Sequence, residues 1–158
     1  MTALDRSVLI VEDDDLAADA VCDGLRLAGY AVCGIARSVD DAVALVRAHR
    51  PRLAVVDIDL GAGGSGIEAA RQVLRLSPIG IVYVTGRPDM VDRADVGHAW
   101  MLKPHRLLNL INALGVVRAV SEQAPITGPM PPDLTLLPQR PGGGRRRGEA
   151  AAGGTGIT

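Results

Sequence analysis

The 158-residue chain has no phenylalanine, two tyrosines and one tryptophan, so aromatics make up only 2% of it. A core has to be built from Val, Leu, Ile and Ala instead. Two cysteines, Cys22 and Cys33, lack the spacing of a metal site. One falls in a predicted helix and the other in a predicted strand, which reads as buried free thiols. No apolar run approaches the ~18 residues of a membrane span, and no signal-peptide pattern opens the sequence. No membrane partner is expected, and the cytoplasm is the expected compartment. Seventeen basic residues face eighteen acidic ones, for a net charge of −1. Without an overall field of one sign, general attraction to nucleic acid or an anionic surface is excluded.

Apolar residues supply 47% of the chain, enough for one domain with a sizeable core. They are arranged in alternation. "VLIV" (residues 8–11), "YAVCGIA" (30–36), "LAVV" (53–56), "IGIVYV" (79–84) and "AWML" (99–102) are short apolar runs of the kind that form strands covered on both faces. Between them lie helical stripes: Leu16, Ala20, Val21, Leu25 and Ala28; then Val39, Ala42, Val43 and Val46; then Ile67, Ala70, Val73 and Leu74. A last stripe is Leu107, Leu108, Ile111, Leu114 and Val117. The stretch "RPDMVDRADVGHA" is polar and poorly periodic, so its helix should be short. Five β-α units over residues 5–120 predict an α/β domain with a parallel sheet and helices on both faces. Beyond residue 120, Gly and Pro supply 14 of 38 residues. Residues 121–158 therefore read as a disordered tail without an output domain, in which "LTLL" (134–137) is too short to core anything. The "RRR" at 145–147 reads as solvated.

Open α/β sheets bind ligands at the carboxyl ends of their strands. Glu12, Asp13, Asp14 and Asp15 follow the first strand, Asp57 and Asp59 the third, Thr85-Gly86 the fourth and Lys103-Pro104 the fifth. Each alone is bland; Asp14 or Asp15, for example, suits the cap of the next helix. Together they suit phosphoryl transfer to a carboxylate. Clustered carboxylates repel and call for a hard cation such as Mg²⁺. An aspartate can attack phosphorus to give an aspartyl phosphate, while ammonium, hydroxyl and backbone N–H groups stabilise the transferred charge.

On "VLIVEDD", "VVDIDL", "YVTG" and "WMLKP", taken in that order with the five β-α units, the chain resembles the receiver domain of bacterial two-component response regulators. The resemblance implies a flavodoxin-like (βα)5 doubly wound sheet of five parallel strands, in the order 2-1-3-4-5. It implies a signalling phosphoacceptor rather than an enzyme, with Asp57 accepting a phosphoryl group from a histidine kinase. Asp13, Asp57 and the backbone carbonyl of Asp59 would hold Mg²⁺, with Glu12 acting through a bound water. Lys103 would pair with a phosphoryl oxygen, Thr85 would swing its hydroxyl onto the phosphate, and Trp100 would hold the aromatic switch position. Asp59 and Arg87 would flank the phosphoryl group and tune its lifetime. The implied partners are a sensor histidine kinase or a histidine phosphotransferase and a downstream protein. Signalling would run by phosphorylation-dependent binding, by relay or as a phosphate sink. A homodimer through the last helix and strand is also in the family's repertoire.

Three departures from the family stand out. Gly86 follows Thr85 in place of Ala or Ser. Only 17 residues separate Thr85 from Lys103, which shortens the fourth helix by roughly one turn. Gly61 stands where a proline is common, which predicts a soft loop. Two rival readings share the same stretch. "DID" fits half of the D-x-D motif of haloacid dehalogenase-type phosphatases, but on the third strand rather than the first. Gly61, Gly63 and Gly66 match the dinucleotide pattern G-x-G-x-x-G, but no acid closes the next strand.

Overall fold

In the computed structural model, which describes residues 2–139, five parallel strands form the centre. They are β1 (Ser7–Val11), β2 (Ala31–Ala36), β3 (Leu53–Asp57), β4 (Gly80–Thr85) and β5 (Ala99–Leu102). Their spatial order is β2-β1-β3-β4-β5, the order that the receiver resemblance implies. β1, β3 and β4 are buried along their whole length, as continuous apolar runs require. The helices are α1 (Asp15–Leu27), α2 (Val39–His49), α3 (Gly66–Leu76) and α4 (Leu107–Ser121).

Helix starts follow local chemistry. Asp14 caps α1, its carboxylate accepting from the N–H groups of Leu16 and Ala17 at 3.0 and 3.1 Å. Ser38 and Ser65 cap α2 and α3. Each orphan donor satisfied in this way contributes about 1 kcal/mol. Two apolar layers result. One, containing Leu9, Val56, Ile81 and Tyr83, lies under α2 and α3. The other, containing Ile10, Val55, Val82 and Met101, lies under α1 and α4. Cys22 is buried and Cys33 half-buried, both as free thiols.

Four expectations need correction. The sheet has six strands, because β6 (Leu134–Leu136) adds antiparallel to β5. α4 also runs to Ser121, so the tail is not disordered from residue 121. Three paired residues and a long return loop escape a periodicity test. The tail's expectations from residue 140 on, including 145–147, fall outside the described residues. Second, the fourth helix is not merely shorter: between β4 and β5 the chain makes a 3-10 helix, Pro88–Arg93. Third, α1 buries Ala18, Cys22 and Leu25 while Leu16 is 82% exposed. The alanines and leucines of α1 permit two helical frames, and the buried one coincides only in part with the stripe expected from the sequence. α4 likewise buries Leu110, Ala113, Leu114, Val116 and Val117, leaving Leu108 exposed. Fourth, the glycine loop is a hydrogen-bonded turn rather than a featureless link. It forms a 3-10 turn (Gly61–Gly63) closed by bonds from the Leu60 amide to the Gly64 carbonyl and from Gly63 to Leu60.

Among the described residues, no helix is long and apolar enough to cross a membrane.

Candidate functional site

The carboxyl ends of β1, β3, β4 and β5 surround an open cleft of about 410 Å³ lined by acids, Thr85, Arg87 and Lys103. Its floor is Asp57, the last residue of β3, which is almost wholly buried. Its Oδ1 accepts from the Asp59 N–H at 3.1 Å and its Oδ2 from Lys103 Nζ at 2.9 Å. Glu12 continues β1 by donating its N–H to the Ala36 carbonyl, which sinks its side chain beside Asp57. Both Glu12 carboxylate oxygens lie 3.2 Å from Lys103 Nζ. The Lys103 amide is fixed by the Thr85 carbonyl at 2.8 Å, and the Lys103–Pro104 peptide is cis. Lys103 is the chain's single lysine. Thr85 is fully buried, and its hydroxyl oxygen accepts from the Arg87 N–H at 2.9 Å.

The charges do not balance. Glu12, Asp13 and Asp57 bring ligand oxygens within 4.8 Å of one another. Against these three carboxylates stands one ammonium, a formal surplus of −2 when all three are ionised. Burial, then the hydrogen bond and charge of Asp57, push the Glu12 carboxyl up to about 8. Burial alone would lower the Lys103 ammonium, but Asp57 and Glu12 outweigh it and raise it. An all-oxygen donor set with surplus negative charge fits a hard divalent cation.

The sequence-expected residues do not all converge. Glu12, Asp13, Asp57, Asp59, Thr85, Arg87 and Lys103 line the cleft. Trp100 does not; it packs half-buried on the α2–α3 face, in the layer that holds Tyr83 and Leu137. The Asp59 carboxylate accepts from the Gly61 N–H at 3.0 Å and so shapes the loop. The Arg87 guanidinium is paired with Asp89 at 3.1 Å and exposed.

One important residue was missed. At Gly66, the first residue of α3, any side chain would overlap the Asp57 carbonyl oxygen. A Cβ at Gly63 would overlap the Arg37 carbonyl in the same way. Gly63 holds the second position of the pattern, where a pyrophosphate would have to approach, and the Arg37 carbonyl already fills that space, which removes the support for the dinucleotide reading. The sequence signal was present, but it matched a pattern belonging to another chemistry.

The profile of the response regulator receiver domain matches residues 8–113. The chain belongs to the response regulator receiver domain family. This receiver is 35% identical over 129 residues to the transcriptional regulatory protein PdtaR of Mycobacterium tuberculosis, an alignment covering 79% of this chain and 62% of PdtaR. It is 34% identical over 86 residues to the phyllosphere-induced regulator PhyR of Methylorubrum extorquens, covering 52% of this chain and 31% of PhyR. The receiver thus spans less than two thirds of these relatives. Among solved structures, the receiver domain of Erythrobacter litoralis PhyR superposes with a TM-score of 0.64 at 26% identity, covering 71% of this chain and 88% of that one. A Burkholderia pseudomallei response regulator, solved with a phosphorylated aspartic acid and a calcium ion, gives a TM-score of 0.65 at 25% identity, covering 75% and 71%. The phosphatase and dinucleotide alternatives find no support among these matches.

Proposed function

We propose that this receiver is a signalling phosphoacceptor and that Asp57 takes the phosphoryl group. The observation that carries the reading is the buried Asp57 carboxylate, held 2.9 Å from the Lys103 ammonium on the floor of an acid-lined cleft. Asp57 Oδ1 is tethered by the Asp59 N–H and Oδ2 by Lys103, so the nucleophile is oriented before a donor arrives. In the step proposed, one Asp57 oxygen forms a bond to phosphorus as the P–N bond of a phosphohistidine breaks. The electron pair returns to the donor imidazole, which takes up a proton. Lys103 stays beside the acceptor and neutralises charge on the transferred oxygens. Thr85 has its oxygen engaged by the Arg87 amide, which leaves its O–H free to donate to a phosphoryl oxygen.

Asp13, Asp57 and the Asp59 carbonyl would hold Mg²⁺, with Glu12 behind a water; when bound, the ion cancels the surplus negative charge and polarises the phosphoryl oxygens. Asp59 and Arg87 stand at the mouth of the cleft, where they would control water access and the lifetime of the acyl phosphate. The donor is a sensor histidine kinase or a histidine phosphotransferase. The readout is phosphorylation-dependent binding to a downstream protein, onward relay, or drainage of phosphate, with no catalysis on an outside substrate. PdtaR is named a transcriptional regulator, and that output is one proposal for a longer protein containing this receiver.

The test is phosphotransfer from a labelled kinase to wild type and to Asp57→Asn, with Mg²⁺ and with chelator. Label should appear only on wild type with Mg²⁺. Equal labelling of the Asn variant would remove Asp57 from its role.

A further inference from the structure

Residues 122–137 have no part in the phosphoryl chemistry, yet they fold back over the domain. α4 ends beside the start of β4, where Gly80 lies against Val117 and Ser121. The chain then climbs along α4, with Ala124, Pro125, Thr127 and Gly128 facing Gly115, Arg118 and Ala119 across a shallow hollow. At the cleft end, Pro132 and Asp133 face Pro104 and Arg106. From there β6 descends along β5, with Leu134 opposite Met101, Thr135 opposite Trp100 and Leu136 opposite Ala99. The Leu137 N–H ends the run on the His98 carbonyl at 2.9 Å. Leu134 joins the α1–α4 layer and Leu137 the layer that contains Trp100. This path also accounts for α4 carrying apolar residues on nearly every side, which a helix covered on one face alone does not need.

Among the described residues, β5 is the only strand that β6 touches. β5 also runs directly into Lys103, and its Leu102 pairs with Thr85. One short strand therefore carries the cleft's ammonium at its end and the returning segment along its outer edge. We propose that residues 122–137 are a strap, seated on β5 while Asp57 is unmodified and loosened when Asp57 carries a phosphoryl group. This rests on the acceptor role proposed for Asp57. Phosphoryl oxygens compete with Glu12 and Asp57 for Lys103 Nζ, and Thr85 turns towards them. Both residues pull on β4 and β5. Among the described residues, the three-residue strand fitted to the unmodified position of β5 has no second sheet neighbour to hold it in place.

Beryllofluoride with Mg²⁺, a stable phosphoryl mimic, tests this on the full chain. Trp100, the chain's only tryptophan, lies under the strap and gives a fluorescence titration; hydrogen exchange reads the amides of residues 134–137. Saturating beryllofluoride should speed exchange there by about tenfold. Coupling is reciprocal, so a broken strap must bind the mimic more tightly. Thr135→Pro deletes an N–H from the strand pairing with Trp100, and Leu137→Ser removes the apolar anchor. Each should tighten beryllofluoride about threefold or more. Unchanged exchange in wild type together with unchanged affinity in both variants overturns the strap. Failure of wild type to bind beryllofluoride at all overturns the acceptor reading of Asp57, and the coupling with it.

Discussion

Gly66→Ala sets two opposed effects against each other. Alanine in place of glycine within a helix favours folding by up to about 1 kcal/mol. Here the new Cβ would overlap the Asp57 carbonyl oxygen and lie 2.7 Å from its carbon and 2.9 Å from Val56 Cγ1. Carbon atoms pack comfortably at about 3.5–4 Å, so α3 must retreat by roughly 1 Å. That retreat stretches the 2.7 Å bond from the Gly66 N–H to the Ile58 carbonyl. It also lifts Ile67, Ala70 and Val73 from their layer. Losing one backbone hydrogen bond costs about 1 kcal/mol, and partial loss of packing around three side chains roughly 2 more. The expected net loss is therefore about 2 kcal/mol. Gly115→Ala, inside α4 with nothing within 4 Å of the added carbon, isolates the propensity effect and should stabilise by about 0.5–1 kcal/mol. Urea unfolding of wild type and both variants, fitted with a common slope, measures the pair. If Gly66→Ala is as stable as wild type while Gly115→Ala gains, the close approach of α3 to Asp57 is refuted. The same retreat should slow phosphoryl acceptance, because the acceptor's own backbone is what α3 leans on.

Other perturbations have equally definite outcomes. The His98 Nδ1 accepts the Ile81 N–H at 2.9 Å, and burial holds its pKa below the usual histidine value. The unfolded chain then binds the extra proton, so stability is lost as pH falls through about 6.5 towards the lower folded value. His98→Asn should lose less stability than wild type between about pH 7.5 and pH 5 in urea melts; an equal loss would clear His98. Mg²⁺ at about ten times its dissociation constant should raise stability by roughly 1.4 kcal/mol, seen as a higher melting temperature. Asp13→Asn should abolish that rise, and its persistence would place the ion elsewhere. Thr85→Ala should leave Mg²⁺ affinity within about twofold while slowing phosphotransfer by about tenfold or more; an unchanged rate would remove the hydroxyl from the step.

Some of this was legible in the residues because it is local. Five short apolar runs bounded by turns became five strands, because parallel strands covered by helices leave little choice of composition; their order was legible only through the family resemblance. Asp57, Glu12 and Lys103 were findable because each stands one step past its own apolar run. The rest depends on what comes close in space. Gly66 read as the last glycine of a nucleotide pattern because its reason for being glycine is a carbonyl nine residues earlier. β6 was invisible because its stability is lent by an edge 33–37 residues away. The face of α1 was misread because Ala17, Ala18, Ala20 and Val21 offer two nearly equal stripes, and only packing against β1 chooses between them.

Lys103 being the only lysine has a practical side. Every other cationic side chain of the receiver at neutral pH is an arginine, and arginine does not react with acylating reagents that take primary amines. A mild amine-directed label therefore has one side-chain address in the molecule, in the cleft itself. Its rate of incorporation becomes a direct gauge of whether that cleft is empty or filled. The α-amino group takes the same reagent, so peptide mapping has to separate the two labels; no engineered probe is needed.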